Sequence, residues 1–193
     1  MAQILGLSKM TTQVKHMELG WTTSVDLIHA TALQCRQCRI TAKQPSVSPA
    51  ELEKYLHEHI PLSKAMEVSV VAIRDDAVTL RAPLAPNINH RETVFGGSAS
   101  AVAILAAWSL LHTRLRRDGI ANRLVIQRNT MEFEQPIWGD FTARSSLEQP
   151  GEWQRFTRQI TKKGKARMAV TATLEHADQV VGRFHGEFVA LGP

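Results

Sequence analysis

Cysteine is nearly missing from this chain of 193 residues: the only two, Cys35 and Cys38, lie near the N-terminus. The remainder of the chain therefore holds no disulfide framework, as is usual for proteins of a reducing cytoplasm. A C-x-x-C pair also occurs in redox sites and in zinc sites, but a zinc site needs further ligands and no second cysteine pair exists. The sequence therefore predicts a cytoplasmic protein without a metal ion or a cofactor.

Long apolar runs are missing as well. The longest, Ala99 to Leu111, is interrupted by Ser109, whereas a membrane-spanning helix needs about 20 apolar residues. The N-terminus also lacks the apolar core and the small-residue cleavage site of a signal peptide. We therefore expect no membrane span and no secretion signal.

Aromatic residues are few, at 6%, whereas the formal net charge of +5 favours anionic partners. No aromatic stacking platform is interleaved with the basic residues, which argues against a nucleic-acid partner. Phosphate groups of a small molecule suit clustered arginine and lysine side chains, but a solvated sheet edge that discourages aggregation is an equal alternative. The clustered positions are Arg155, Arg158, Lys162, Lys163, Lys165 and Arg167.

The chain divides into two parts. Residues 1–46 show no sustained periodicity and end in a turn-prone run, which predicts a poorly ordered extension or linker. Residues 47–193 read as one domain. It begins with Ser48, Pro49 and Glu51, the signature of a capping box with proline at the first helical position. A short amphipathic helix should follow and end before Pro61.

Strand-like patterns fill most of the rest of this domain. Residues 68–73 and 77–82 read as a hairpin around the turn Asp75-Asp76. The later strands are predicted at residues 124–134, 141–147, 153–161, 166–174 and 180–191.

One long helix interrupts this series, from about Gly97 to Arg117. It is apolar on almost every side until His112, and a helix without a polar face must be enclosed. No second long helix is predicted, so the sheet has to enclose it. The sequence predicts an α+β fold in which an antiparallel sheet of five to six strands wraps around the central helix. A helix lying flat on the sheet would leave one side wet.

The loop before this helix is the part of the chain richest in candidate functional residues. Gly96 and Gly97 let another group approach the backbone closely, and the first amides of a helix have no internal partner. A carbonyl oxygen that becomes negative during attack would be stabilised there. Asn87 and Asn89 could orient water or that carbonyl. An ordinary helix start with turn-forming asparagines is the alternative.

This loop carries a family resemblance. Asn89 followed by Phe95-Gly96-Gly97 resembles the pattern N-x-x-G-x-x-H-G-G of hotdog thioesterases of the phenylacetyl-CoA type. The segments PLAPNIN and TVFGGS, together with LAAW in the helix, are more narrowly similar to bacterial thioesterases of the YiiD C-terminal-domain type. The resemblance covers residues 49–192 and implies a hotdog fold that hydrolyses acyl thioesters.

The resemblance implies roles residue by residue. Asn89 stands at the family's polar position, and the amides of Gly97 and Ser98 stand at the oxyanion site. Glu92 replaces a family glycine, and Phe95 replaces a family histidine. Many hotdog thioesterases also carry a carboxylate about two turns into the central helix, where residues 104–107 are apolar here.

We therefore expect catalysis to use other polar groups, with Asn89 positioning the water or the carbonyl. Hotdog dimers typically place the strand after the central helix at the subunit interface, so one of its polar residues Asn129, Thr130 and Glu132 could act on the partner's site. The predicted catalytic residues are Asn89, Thr93, Gly97 and Ser98. The predicted substrate-binding residues are Asn87, His90, Phe95, Gly96, Asn129, Arg158 and Lys163.

The predicted function is metal-free hydrolysis of an acyl-CoA or acyl-carrier-protein thioester by a homodimer or homotetramer. The apolar helix favours a fatty or aryl acyl group. A non-catalytic acyl-CoA-binding hotdog protein is the first alternative. An acyl dehydratase is the second, although the loop with histidine and carboxylate that such enzymes use is not found.

Overall fold

The structure, a computed structural model, describes residues 46–192. The predictions for Cys35 and Cys38, and nearly all of the predicted N-terminal extension, lie outside the described residues.

Six strands form one antiparallel sheet in the order β1-β2-β4-β5-β6-β3. The predicted α+β fold, with the sheet around a central helix, is confirmed. The helices are α1 (Pro49–His59), α2 (Pro61–Ala65), α3 (Gly96–Arg117) and α4 (Trp153–Lys163). The strands are β1 (Ser69–Ile73), β2 (Ala77–Ala82), β3 (Arg123–Phe133), β4 (Phe141–Leu147), β5 (Lys165–His176) and β6 (Gln179–Leu191).

The central helix α3 is enclosed as its sequence requires. Of its 22 residues, only Gly97 and Arg116 are exposed. Alanines at positions such as 103, 106 and 107 are completely buried, which lets the sheet approach the helix backbone closely. A narrow stripe through Ile104 and Trp108 stays half-buried, so this is the side of the helix that the sheet covers least.

The first helix confirms its capping box. The side chain of Ser48 accepts from the amide of Glu51, and the carboxylate of Glu51 accepts from the amide of Ser48 at 2.8 Å. Both bonds satisfy amides that a helix start leaves unpaired. Leu52 and Leu56 bury one face of α1. Pro61 then begins the short helix α2, because its fixed backbone angle suits a first helical position.

The prediction of a strand at residues 153–161 is wrong, since these residues form the helix α4. Trp153, Phe156 and Ile160 recur at helical spacing and are its buried residues. Gly164 ends the helix in the left-handed conformation, with φ of 66°. The basic cluster consequently lies on a helix and on the strand that follows, rather than on two adjacent strands.

The two edges of the sheet differ strongly. At one edge, β1 has five residues and an irregular register between Val70 and Ala72. At the other, β3 has 11 residues and pairs with β6 on one side only. Met131 packs on the core and so lies on the face of the sheet that carries α3. Because side chains alternate between faces, Asn129 and Phe133 lie on this same face.

Candidate functional site

The N-terminus of α3 is open. Within residues 46–192 no side chain caps it, and its first intrahelical hydrogen bond runs from the amide of Ala99 to the carbonyl of Phe95, at 3.0 Å. The amides of Gly96, Gly97 and Ser98 precede that bond and so have no intrahelical acceptor. Since the helix dipole also favours negative charge here, this end can stabilise an oxyanion.

Two phenylalanine rings border these amides. A Cβ atom added to Gly96 would lie 3.3 Å from the ring of Phe133, and one added to Gly97 would collide with the ring of Phe95. Each phenylalanine is 57% exposed. Glycine at both positions therefore lets the rings approach the backbone closely, and an added side chain would have to displace them.

Further exposed apolar side chains lie in the segments that meet this helix end. Ile88 pairs with Val94 in an isolated β-bridge, and the amide of Val94 donates to the carbonyl of Ile137 at 2.8 Å. Ile88 and Trp138, the neighbour of Ile137, are both exposed. Apolar surface gathered in this way commonly marks a ligand or subunit contact.

A cavity of about 320 Å³ opens beside the first turn of α3. Phe133, the last residue of β3, and Glu134 after it line the cavity, and neither was among the predicted site residues. No local pattern in the sequence indicates that Phe133 lies beside Gly96, because the two residues are 37 positions apart. The residues that line the cavity are Val94, Gly96, Ala99, Phe133, Glu134, Gln135, Pro136 and Ile137.

Asn89 organises the loop that leads into α3. Its side-chain amide donates to the hydroxyl of Thr93 at 2.9 Å and to the carbonyl of Val94 at 3.3 Å. Its side-chain oxygen accepts from the amides of Arg91, at 2.7 Å, and Thr93, at 3.4 Å. Both ends of this side chain are thus engaged within the loop, and Thr93 is buried beside it.

The remaining predicted loop residues take different places. Asn87 is 1% exposed and donates to the carbonyls of Met66 and Pro83, so it fixes the base of the loop. His90 is exposed on the loop surface. Glu92 has φ of 65°, which explains why the family pattern has glycine at this position, the residue that tolerates left-handed backbone best.

The acidic groups near the site lie on β3 and the loop. Glu134 lines the cavity and forms an ion pair with Arg183 at 2.7 Å. Glu132 pairs in register with Arg183 on the opposite face of the sheet from Phe133. Glu134 is thus the one acidic residue among the described residues that line the cavity, and its carboxylate is held by Arg183.

The basic residues lie at the other end of α3. A groove of about 570 Å³ runs between α4 and β5, and α4 is tied to the C-cap of α3 by a hydrogen bond from Trp153 to Asp118, at 2.8 Å. Lys163 lines the groove, whereas Arg158 is exposed on α4 outside it. The groove is lined by Glu152, Arg155, Phe156, Gln159, Lys163, Lys165, Ala166, Arg167 and Met168.

The largest pKa shift belongs to His112, which lies far along α3 from the open end. Burial, together with smaller electrostatic contributions from Arg116 and His59, lowers its pKa to about 4. The His112 ring stacks on Trp108 at 4.5 Å and on Tyr55 at 4.9 Å between ring centroids. This histidine is therefore neutral at pH 7 and serves packing between α1 and α3.

No group of three or more histidine, cysteine, aspartate or glutamate side chains among the described residues could hold a metal ion. None of the helices of residues 46–192 combines the length and apolar character needed to cross a membrane.

Solved structures show the same fold. A protein of unknown function from Chlorobaculum tepidum is 26% identical, with a TM-score of 0.71 over 77% of this chain and 99% of that chain. A Pseudomonas aeruginosa protein described as "Probable Thioesterase" is 22% identical, with a TM-score of 0.65 over 76% and 97%. A Haemophilus influenzae thioesterase is 10% identical, with a TM-score of 0.63 over 78% and 95%.

The family comparison covers every helix and strand of the described domain. Residues 49–192 match the model of the family described as "Putative thioesterase (yiiD_Cterm)". Those residues run from the start of α1 to just beyond the end of β6. Because the match spans the entire fold, with the open start of its central helix, the chain belongs to this thioesterase family.

Proposed function

We propose that the protein hydrolyses an acyl-CoA or acyl-carrier-protein thioester to a carboxylic acid and a thiol, without a metal ion. The thioester carbonyl oxygen would point at the amides of Gly97 and Ser98. Water attack makes that oxygen negative, and amides already aimed at it need no reorganisation to stabilise the charge. Collapse of the tetrahedral intermediate then expels the thiolate.

The open start of α3 is the observation that carries this proposal. Enclosed helices usually have their first amides satisfied by a capping side chain, as Ser48 does for α1 in the same molecule. At α3 the corresponding position is Phe95, which has no capping group. Two glycines and a cavity lie at this end, so a carbonyl oxygen can reach the amides.

Attack by water also needs an acceptor for a proton. Glu134 lines the cavity beside Gly96, and it replaces, in our proposal, the carboxylate that the central helix lacks. Asn89 and Thr93 act as positioning residues, because their hydrogen bonds hold the loop that sets the place of Phe95. Asn87 would assist substrate binding by fixing the base of this loop, and His90, exposed on the loop, would contact the substrate.

The acyl group would lie on apolar surface that is exposed in a single chain. Phe95 and Phe133 border the amides, and the half-buried stripe through Ile104 and Trp108 continues along α3. This surface suits a fatty or aryl acyl group, whose removal from water favours binding by about 25 cal/mol per Å² of apolar surface.

The proposed active form is a homodimer, or a homotetramer built from such dimers. β3 presents an unpaired edge of 11 residues, and long unpaired edges invite pairing with another strand. Antiparallel pairing of two β3 strands would extend the sheet across both subunits. Asn129, exposed on the α3 face of β3, would then lie near the middle of the subunit interface, on the face that carries both central helices.

Hydrolysis is tested with a panel of acyl-CoA and acyl-carrier-protein thioesters and a dye that detects free thiols. We expect Glu134→Gln to lower kcat at least tenfold, because the cavity loses its proton acceptor. Glu132→Gln is the matched control, since it makes the same change two residues away at a residue outside the cavity lining, and it should retain activity.

Other outcomes of this panel separate the alternatives. Saturable acyl-CoA binding without thiol release would overturn the proposal in favour of a non-catalytic binding protein. Hydration of an enoyl thioester without thiol release would identify an acyl dehydratase. Equal activity of Glu134→Gln and wild type would remove Glu134 as acceptor and leave the role of the amides standing.

A further inference from the structure

The groove between α4 and β5 concentrates the charge of the molecule. Residues 152–167 contain six lysine and arginine residues and one carboxylate, Glu152, so this segment carries a formal charge of +5, equal to that of the whole chain. Glu152 is engaged by Arg155 at 3.1 Å. Lys163 and Lys165, on the same groove, form no ion pair within the described residues.

The lining of the groove combines this charge with apolar surface. Phe156, Ala166 and Met168 are buried side chains that line it together with the cations. Because these apolar side chains are nearly fully buried, the groove presents chiefly its cations, and the phosphates of a nucleotide match these by accepting from lysine and arginine. The coenzyme A moiety of an acyl-CoA contains such a nucleotide.

Within one chain the groove is too far from the open helix start for one acyl-CoA molecule to reach both. Lys165 pairs in register with Leu191, which pairs with Arg123 at the beginning of β3, whereas Phe133 beside Gly96 ends that strand. Ten residues of strand span about 34 Å. The helix gives a similar length, because the 21 steps from Gly97 to Asp118 rise about 32 Å. A pantetheine arm does not bridge that separation.

Pairing of two subunits changes this distance. Full-length antiparallel pairing of β3 with the β3 strand of a second copy places the Phe133 end of one strand beside the Arg123 end of the other. The groove of the second copy then lies three strand spacings away, about 14 Å across the sheet. Both central helices lie on the same face, because the two-fold axis is perpendicular to the sheet.

We infer that the groove of each subunit binds the nucleotide phosphates of the acyl-CoA whose carbonyl lies at the helix start of the partner subunit. This inference rests on the proposed function and names its substrate class and the origin of the phosphate site. Each active site then needs both copies: one supplies the amides of Gly97 and Ser98, and the other supplies Arg155, Lys163 and Lys165.

A mixed dimer tests the inference. One subunit carries Gly97→Val, which fills the helix start, and the other carries Arg155→Glu, Lys163→Glu and Lys165→Glu. The two chains have different affinity tags and are coexpressed, so that the mixed dimer is purified over both tags. In that dimer one helix start is intact and faces an intact groove, so we expect about half the acyl-CoA kcat/KM of the wild-type dimer.

The homodimers supply the comparison. Each variant alone should retain less than a tenth of wild-type kcat/KM for acyl-CoA. If groove and helix start acted within one subunit, every subunit of the mixed dimer would carry a lesion and activity would stay as low as in the homodimers. That result would overturn the inference. Lys54→Glu, Lys64→Glu and Arg74→Glu together make the same charge change on exposed residues elsewhere and should leave kcat/KM unchanged.

Two further arms identify the ligand and separate this inference from the proposed function. The groove variant should hydrolyse an acyl thioester of N-acetylcysteamine, which lacks the nucleotide, at the wild-type rate. If the groove variant lost activity only toward acyl-carrier-protein thioesters, the assignment to coenzyme A would be overturned. If wild type hydrolysed no thioester, the proposed function would fail. The groove would still be tested by calorimetric binding of coenzyme A, whose affinity the groove variant should weaken at least tenfold.

Discussion

The two ends of the central helix contrast sharply. At its start, Gly96 and Gly97 leave the first amides without a capping side chain, beside exposed phenylalanine rings. At its end, the C-cap Asp118 accepts a hydrogen bond from Trp153, and the guanidinium of Arg114 lies 4.2 Å from the centroid of the Trp153 ring. One end is therefore open to a ligand, and the other is closed by the protein itself.

This difference shows how one helix can serve both stability and chemistry. At the closed end the indole of Trp153 satisfies the carboxylate of Asp118 within the fold, which stabilises the domain. The open end leaves hydrogen-bonding capacity unused in the folded protein, which costs stability and becomes favourable only when a ligand supplies the missing acceptor. Substitutions at the closed end should thus change folding, and those at the open end should change activity.

The largest effect is expected at the closed end. Trp153→Ala removes a buried indole, its bond to Asp118 and its contact with Arg114, which should lower the free energy of unfolding by about 4 kcal/mol. Urea unfolding measures this loss. At urea concentrations below the unfolding transition, the variant should hydrolyse an acyl thioester lacking the nucleotide at a rate within a few-fold of wild type. A rate that falls a hundredfold in folded protein would break the division between the two ends.

The next effect is expected at the open end. In Gly97→Val the new side chain collides with the ring of Phe95 and blocks the amides, so kcat/KM should fall about a hundredfold, or about 3 kcal/mol of transition-state stabilisation. The control is Gly151→Val, because an added Cβ there meets nothing within 4 Å. If Gly97→Val and Gly151→Val both kept full activity, the open end would have no part in catalysis.

A smaller effect concerns the stack of His112 between the two ends. Its folded pKa of about 4 lies below the ordinary value of 6.5, because burial disfavours the charged ring. The unfolded chain therefore binds the proton first, so stability declines as pH falls from about 6.5 towards 4. After allowance for solvent screening, we expect about 1–2 kcal/mol of this loss between pH 7.5 and pH 5.

The comparison with His112→Phe isolates this contribution. The variant keeps an aromatic ring for Trp108 and Tyr55 but cannot titrate. Urea unfolding at both pH values should therefore show a smaller acid loss for the variant than for wild type. Equal losses in the two proteins would mean that His112 does not contribute to acid sensitivity.

The smallest effect is expected in the loop at the open end. Glu92 adopts a left-handed backbone conformation, with φ of 65°, so Glu92→Gly should raise the free energy of unfolding by about 1 kcal/mol. Activity should change less than threefold, because the family pattern itself has glycine here. Loss of activity in a more stable variant would show that the Glu92 carboxylate takes part in the reaction.

Much of the fold could be predicted because its signals are local. The capping box at Ser48 and the largely apolar run of residues 99–111 each specify structure without reference to distant residues. The helix α4 was missed, although Trp153, Phe156 and Ile160 carried its 3.6-residue period, because this short segment between two predicted strands was interpreted as one more strand of the series.

The candidate site was less accessible to prediction. Gly97 and Ser98 could be found because a glycine pair at a helix start has a physical meaning on its own. The contact of Phe133 with Gly96 and the place of Glu134 at the cavity depend on where β3 ends relative to α3. That relation follows from tertiary packing, which no local pattern near either residue encodes.

The most direct test of the central claim is to observe the amides themselves. A trifluoromethyl ketone analogue of acyl-CoA forms a tetrahedral oxyanion-like adduct with water, and nitrogen-15 spectra report each backbone amide on binding. We predict large downfield proton shifts at Gly97 and Ser98, because short hydrogen bonds to an oxyanion deshield the donor. Saturating analogue that shifts other amides and leaves these two unchanged would contradict the account.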